Sequence, residues 1–507
     1  MRVKKTDPEL PLALPFVPGQ ASNGEFVPAA RTREHLHAEA LAHEMAEEIA
    51  RRRGIDRRRF LQSTAGIAVT LAAINIAGCG GGSKKGGETP GATYDVPADG
   101  DEHAACEKLE GDEFIFDVQT HHVDPEGPWV RESPATAEFF RRFLGGDPSC
   151  SEADRLDCLS RYHYAHDIFL ESDTTLAVLS DTPSGDNEDP LNFDEMKRTR
   201  EILNRLSPPD SQRMRLHSVV VPNLPSGLQA QLDRMQARAE AMDVAAWKVY
   251  TPWGPNGVGW QLDDPDLGIP VIEQARKLGV KIICAHKGLP LFGFDRAKAS
   301  PRDIGVVAKA YPDMNFVVYH SGWYPGTREG PYDPDNAELG VNTLVKSLLD
   351  NGVQPNTNVY AELGSTWRNI MSDPTQAAHL LGKLLKYCGE DNVLWGTDCI
   401  WTGSPQPQIA AFRAFQMDPA FAQQYGYPLL TPDVKRKVFG LNAARLYGVD
   451  PVVAKCKIDR DAVEQLRMAW TDFGGEQHEV RWMARQPTDR AGMQRWFAEH
   501  GGRWSLI

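Results

Sequence analysis

Eight short apolar runs, most of them separated by amphipathic helical patterns, constrain the fold of this chain more than any other feature. The runs lie at 113–119, 175–180, 216–222, 245–250, 281–286, 315–320, 358–363 and 392–398. Apolar strands that alternate with helices are typical of a parallel sheet covered by helices. Eight such units predict a (β/α)8 TIM barrel. An open, doubly wound sheet is the structural alternative, but its ligand normally binds near one switch point.

Side chains that can bind a metal stand at the ends of four of these predicted strands. Residues 117–122 read DVQTHH, 284–288 read CAHKG, 319–323 read YHSGW and 395–399 read WGTDC. Because all strand ends of a barrel meet at one mouth, we expect these residues to converge. Each motif alone is weak, since a single His after a strand is more often an ordinary polar residue. Together they predict a mononuclear metal site of imidazoles and one carboxylate, with a position left for water.

The alternation of side chains along a strand narrows the choice of histidines, because residues two apart share a face. Gln119 and His121 therefore point to the same side, whereas His122 starts on the opposite one. His217 stands early in its strand, at the wrong end for the mouth. The residues selected in this way are His121, His286, His320 and Asp398.

From residue 112 to residue 450 the chain resembles the amidohydrolase-related superfamily, most closely its branch of single-metal hydrolases and decarboxylases. That family has His-x-His on strand one, one His each on strands five and six, and Asp on strand eight. Residues 438–448, VFGLNAARLYG, are similar to the branch's C-terminal signature. The resemblance implies that Gln119, His121, His286 and Asp398 hold a divalent metal, with zinc expected. It also implies catalytic roles for His320 and Asp398.

The chain departs from the family pattern at Gln119, where the family usually has His and some decarboxylases have Glu. A glutamine can bind a metal only through its neutral amide oxygen, which is a poor donor for zinc. Three interpretations stay open at this point. The metal has fewer strong ligands, His122 takes the missing place, or the site is impaired.

Five further residues are predicted to contact the substrate. Lys248 on strand four could meet an anionic substrate or a structural acid. Glu362 on strand seven could touch the substrate or form a buried ion pair with Lys248. Trp323 and Trp401 follow strands six and eight and are predicted pocket walls. Arg328 could clamp a carboxylate, with surface packing as its alternative.

The function implied by the resemblance is hydrolysis of a small amide, ester or lactone by metal-activated water. The alternatives are metal-dependent decarboxylation of an aromatic or enolic acid, and a non-catalytic barrel that binds a small acid. The sequence alone does not separate them. The formal net charge of −14 argues against a nucleic-acid partner, so the expected partner is a small-molecule substrate.

The first 78 residues are predicted to be a twin-arginine export signal with a long lead, because RRRFLQ at 57–62 precedes an uncharged stretch. Residues 76–79 resemble a lipoprotein cleavage box with Cys79 as the acylated residue. The predicted location is periplasmic, or attached to the membrane only through the signal or this lipid. In an exported chain, Cys150 and Cys158 could form a disulfide.

The remaining chain divides into three predicted parts. Residues 79–111 are rich in Gly, Pro and Ser, which predicts a flexible tether. Residues 112–450 form the metal-dependent barrel. Residues 451–507 form a C-terminal helical extension that wraps the barrel or contributes to a homo-oligomer interface.

Overall fold

The computed structural model describes residues 14–20, 22, 25–78, 90–143, 150, 152–206, 212–241, 244–459 and 461–472. Cys79, the predicted lipidation site, and the tail from residue 473 onward lie outside the described residues.

Eight parallel strands pair in the order of the sequence around one barrel. The strands are β1 (Phe116–Thr120), β2 (Leu176–Leu179), β3 (Met214–Val220), β4 (Val244–Val249), β5 (Ile282–His286), β6 (Asn315–Tyr319), β7 (Val359–Glu362) and β8 (Val393–Leu394). The sheet closes where Thr120 bridges Cys399. There the Asp398 N–H donates to the Gln119 carbonyl at 2.9 Å. The predicted (β/α)8 barrel is confirmed, and each of the eight predicted runs overlaps one strand.

Helices cover the outside of this barrel. After β1 come Trp129–Glu132, Pro134–Phe143 and Arg161–Ala165; after β2 to β6 come Phe193–Arg205, Leu228–Ala241, Gly268–Lys277, Ile304–Ala310 and Asn342–Asn351; after β7 and β8 come Thr366–Ile370, Pro374–Tyr387, Gln406–Ala414, Pro419–Tyr425, Pro432–Arg436 and Asn442–Leu446. Pro374–Tyr387 shows why these segments are helical. Asp373 caps its N-terminus by accepting from the Gln376 N–H, and proline occupies its first turn. Leucines on one face, including Leu380 and Leu384, are buried against the barrel.

The inside of the barrel is filled at the end where the strands begin. Phe116 and Val118 of β1 belong to an apolar cluster with Ala443 and Ala444 of the helix Asn442–Leu446. His217 of β3 lies in this region, and its Nε2 is 3.0 Å from the Tyr447 hydroxyl. The described residues therefore fill the barrel interior at this end, and a ligand is expected at the opposite mouth, where the strands end.

The N-terminal segment packs against the rest of the fold. It contains the helices Arg33–Arg53, Arg57–Leu61 and Thr64–Ala77. In the last of these, the residues from Ala65 to Ile74 are buried except Ile67, which is half-buried. In the same helix, the Asn75 amide exchanges two hydrogen bonds with the backbone of Tyr94, at 2.8 and 2.9 Å. Among the described helices, none is both long and apolar enough to span a bilayer.

The predicted flexible tether is wrong for residues 90–111. Ala92–Tyr94 forms a strand that pairs antiparallel with Phe415–Met417. Glu102–Leu109 is a helix capped by Asp101. Composition suggested flexibility, but Ala92, Tyr94 and Leu109 are buried and anchor this stretch. Export by the twin-arginine route stays a prediction.

Two further predictions concern the disulfide and the C-terminal extension. The disulfide between Cys150 and Cys158 is confirmed. After residue 450, Pro451–Ile458 and Ala462–Asp472 are helices. The buried guanidinium of Arg213 donates to both carboxylate oxygens of Asp461, which fixes this extension to the start of β3.

Candidate active site

A cavity of 410 Å3 opens at the mouth of the barrel, where the strands end. The predicted metal ligands and catalytic residues all line it: Gln119, His121, His286, His320 and Asp398. The closure of the barrel brings the end of β1 beside the segment after β8, which explains how residues far apart in sequence share one wall.

Each of the three histidines is held through one ring nitrogen by a backbone carbonyl. His121 Nδ1 is 2.8 Å from the Ser180 oxygen and His286 Nε2 is 3.0 Å from the Leu289 oxygen. His320 Nδ1 is 2.7 Å from the Gly364 oxygen. A neutral imidazole has one N–H donor, and a carbonyl needs that donor. In a neutral ring the other nitrogen therefore carries a lone pair, as in histidines that bind metals.

The second nitrogens of the three rings face other site residues in two pairs. His121 Nε2 is 3.2 Å from Asp398 Oδ1. His320 Nε2 is 3.2 Å from His286 Nδ1. Burial lowers the pKa of His286 well below its usual value and that of His320 to about 4, so both rings are neutral near pH 7. Two lone pairs then face each other, an arrangement that a cation between them would stabilise.

A divalent metal fits the chemistry of these donors, which are neutral imidazole nitrogens and one carboxylate. Within the described part of the chain, however, no three His, Cys, Asp or Glu side chains are already arranged to hold an ion. His121 and Asp398 form one pair, and His286 and His320 form the other.

Asp398 is held on both carboxylate oxygens. The Gln119 amide donates to Oδ1 at 2.8 Å, and the Ser365 hydroxyl donates to Oδ2 at 2.7 Å. Burial alone would raise the pKa of Asp398, but contacts with His121, His320 and Ser365 lower it well below its usual value. The carboxylate is therefore ionised and fixed in orientation.

The departure from the family pattern at Gln119 has a structural consequence. Its Nε2 binds Asp398, while its Oε1 has no hydrogen-bond partner. A Cβ at Gly364 would lie 2.3 Å from that oxygen, so a glycine is needed there. His122 faces away, with its Nε2 3.0 Å from the Thr199 hydroxyl. The interpretation in which His122 takes the missing place therefore has no support in this geometry.

Lys248 and Glu362 lie beneath the cavity and do not line it. Lys248 Nζ is 3.4 Å from the centroid of the Tyr319 ring, and burial lowers its pKa to about 7. Glu362 Oε2 accepts from the His320 N–H at 3.0 Å, and burial raises its pKa to about 8. No ion pair joins the two side chains. Glu362 thus positions the backbone after β6 instead of meeting substrate.

Of the two predicted aromatic walls and the predicted carboxylate clamp, one residue lines the cavity and two do not. Trp401 lines the cavity and stacks on His121, with ring centroids 5.3 Å apart. Trp323 is buried elsewhere, edge-on to Phe26 at 6.3 Å, and Arg328 is exposed outside the cavity. The structure does not bring Trp323 or Arg328 to the site, because the segment around Phe26 lies over the loop after β6.

Sequence reasoning missed two residues at the site, Tyr250 and Ser365. The Tyr250 ring is 5.5 Å from that of His286, and its hydroxyl donates to the Asp181 carbonyl at 3.0 Å. Tyr250 stands two residues after Lys248, at the end of β4, so strand alternation could have found it. Ser365 follows β7 in a loop, where no periodic signal exists.

Several site residues have left-handed backbone conformations that non-glycine residues rarely adopt. The φ angles are 65° at His320, 54° at Ser365 and 63° at Asp398. Each such residue costs on the order of 1–3 kcal/mol and persists only where surrounding structure imposes it. The strain is concentrated at the mouth of the barrel, as is common for sites that position reactive side chains.

A protein-family model matches part of the chain. The model of the amidohydrolase family matches residues 209–449, a little under half of the chain. This match supports the resemblance to the amidohydrolase superfamily that the strand-end motifs indicated. No curated protein matches the chain.

Similar solved structures include three that each cover 66% of this chain. A TIM-barrel protein from Bordetella bronchiseptica is 14% identical, with a TM-score of 0.40 and 99% of that chain covered. A 2,6-dihydroxybenzoate decarboxylase from Rhizobium is 15% identical, with a TM-score of 0.39 and 99% covered. An amidohydrolase from Burkholderia multivorans with bound zinc is 13% identical, with a TM-score of 0.40 and 100% covered. Likenesses at this level carry no argument about reaction, substrate or metal.

Proposed function

We propose that this chain is a metal-dependent hydrolase of a small ester, amide or lactone. The observation that carries the proposal is the orientation of the three histidines. Each is anchored to a backbone carbonyl and directs its other nitrogen into a group that includes the fixed carboxylate of Asp398. A lysine or arginine that could bind a substrate carboxylate is absent from the described wall of the cavity, which favours hydrolysis over decarboxylation.

The residues that would hold the metal are His121, His286, His320 and Asp398, with zinc as the expected ion. A bound divalent ion would supply Lewis acidity and a water of lowered pKa. Gln119 would not be a ligand in its present orientation, because its amide nitrogen faces Asp398. Its role is to hold that carboxylate in place.

The chain's own groups would manage the protons of the reaction. Asp398, oriented by Gln119 and Ser365, accepts the proton of the attacking water. Asp398 then passes this proton to the leaving oxygen or nitrogen, since Nε2 of the neutral His320 ring carries a lone pair and no proton. A bond forms between the water oxygen and the carbonyl carbon, the carbon–oxygen or carbon–nitrogen bond breaks, and an acid and an alcohol or amine result.

Isotope labelling tests this proposal directly. The full chain, supplied with zinc, is incubated with neutral aryl esters, anilides and lactones in 18O-water, and the acid product should contain one 18O atom. Asp398→Asn should slow this reaction by about 10²–10⁴-fold, the usual contribution of a positioned base. The exposed residue Asp335 provides the control, and Asp335→Asn should retain the rate. Carbon dioxide release from a 2-hydroxybenzoate, with no ester, anilide or lactone cleaved, would instead identify a decarboxylase.

A further inference from the structure

The wall of the cavity beyond the histidines is aromatic. Phe140, Tyr250, Trp253, Phe294 and Trp401 all contribute to it. The Phe140 and Trp401 rings pack at 62° with centroids 5.7 Å apart, so they form a continuous corner. Aromatic faces carry negative electrostatic potential and attract cations within about 6 Å of the ring centroid. The wall therefore suits an apolar body, and a cation better than an anion.

The fixed charges in this wall have the same sign. Apart from Asp398, the charged residues among the described lining are Glu25 and Glu188. Glu188 is half-buried, and none of the described cationic side chains pairs with it. The neighbouring Asp189, by contrast, pairs with both Arg234 and Arg238. Glu188 thus places an uncompensated carboxylate in the cavity wall.

Two cationic side chains that do not belong to the described lining have other partners. Lys248 lies under the cavity against the ring of Tyr319. The Arg238 guanidinium lies 5.1 Å from the Phe193 ring centroid and also pairs with Asp189. A substrate carboxylate placed in this part of the cavity would find no lysine or arginine among the described lining and would lie near the Glu188 carboxylate, which would raise the free energy of its binding.

We propose that the substrate is an ester or amide whose apolar body carries an alkylammonium group. The aromatic rings surround this group, Glu188 balances its charge, and the carbonyl lies at His320 and Asp398. The inference rests on the proposed hydrolysis, which is what places a carbonyl there. The ammonium group is unchanged by the reaction, since only the acyl bond is cleaved. A volume of 410 Å3 is within the usual range for small-molecule sites.

Binding of three phenols to the full chain tests the charge preference without any need for turnover. They are 4-(trimethylammonio)phenol, its neutral isostere 4-tert-butylphenol, and 4-hydroxybenzoate. Isothermal titration calorimetry should show the cation binding about tenfold more tightly than the isostere, the effect of a desolvated cation among aromatic rings. The carboxylate should bind most weakly. Equal affinities for the cation and its isostere, or tighter binding of the carboxylate, would overturn the proposal.

Substitution of Glu188 tests whether its carboxylate produces the preference for the cation. Glu188→Gln should reduce the ratio of cation to isostere affinity by about fivefold, since it removes a nearby opposite charge. Glu338→Gln, at an exposed position outside the cavity, should leave the ratio unchanged. An unchanged ratio in Glu188→Gln would show that this carboxylate does not select the cation. If the preference holds but no ammonium-bearing ester or amide is hydrolysed, the proposed function fails and the binding preference stands.

Discussion

Replacement of Leu71 by alanine tests whether the apolar segment after the twin arginines is part of the folded protein. Leu71 is fully buried in the helix Thr64–Ala77. Alanine is at least as good a helix former as leucine, so the change removes packing and leaves helix propensity intact. Loss of a buried leucine side chain typically costs about 2–5 kcal/mol, including the cavity left behind. We therefore expect the free energy of unfolding to fall by about 3 kcal/mol.

The assay is denaturant unfolding of the full chain, followed by tryptophan fluorescence and far-ultraviolet circular dichroism. Ile76→Ala is the matched control, because Ile76 lies in the same helix and is 60% exposed. That variant should stay within about 0.5 kcal/mol of the wild type. Intact mass spectrometry beforehand should show the uncleaved chain of 56.2 kDa. Equal stability of the Leu71→Ala variant and the wild type would refute the packing of this helix.

Three further changes probe the site and its surroundings. Ser365→Ala removes the donor to Asp398 Oδ2 and should lower kcat/KM for ester hydrolysis by about tenfold or more, given about 1.5–3 kcal/mol for a hydrogen bond to a charged group; an unchanged kcat/KM would argue against positioning. Gln119→His replaces the amide by a stronger metal donor and should tighten zinc binding in a competition titration with a chelator; unchanged affinity would place residue 119 away from the ion. Burial lowers the pKa of His379 to about 4, so the native state stays neutral while the unfolded chain binds a proton below pH 6.5. The free energy of unfolding should therefore fall as pH drops from 6.5 toward 4, and His379→Gln should show a smaller fall across this range. Equal pH dependence of the wild type and the variant would show that His379 does not cause the fall.

The barrel was predictable because its strands carry a strong periodic signal. Alternation along β1 separated His121 from His122, and the structure places His121 in the cavity and His122 against Thr199. The same rule held for His286 at the end of β5. Local sequence was enough in these cases because regular strands fix the direction of each side chain.

The loops and the N-terminal segment were less predictable, because tertiary packing decides their positions. Arg328 looked like a clamp from its place after β6, yet it is exposed outside the cavity. Ser365 gave no signal, although it holds Asp398. The Gly-rich composition of residues 79–111 suggested a tether, but burial of Tyr94 and Leu109 anchors its second half. Composition reflects the flexibility of an isolated segment, whereas here contacts with the rest of the fold determine the conformation.

The metal content of the purified full chain tests the central claim most directly. Inductively coupled plasma mass spectrometry should find about one divalent ion per chain, the expectation for a mononuclear site. His286→Ala and Asp398→Ala should each lose that ion, whereas His379→Gln, which changes a buried histidine outside the cavity, should retain it. A folded wild-type chain that binds no divalent metal on titration would contradict the account, as would retention of the ion by both site variants.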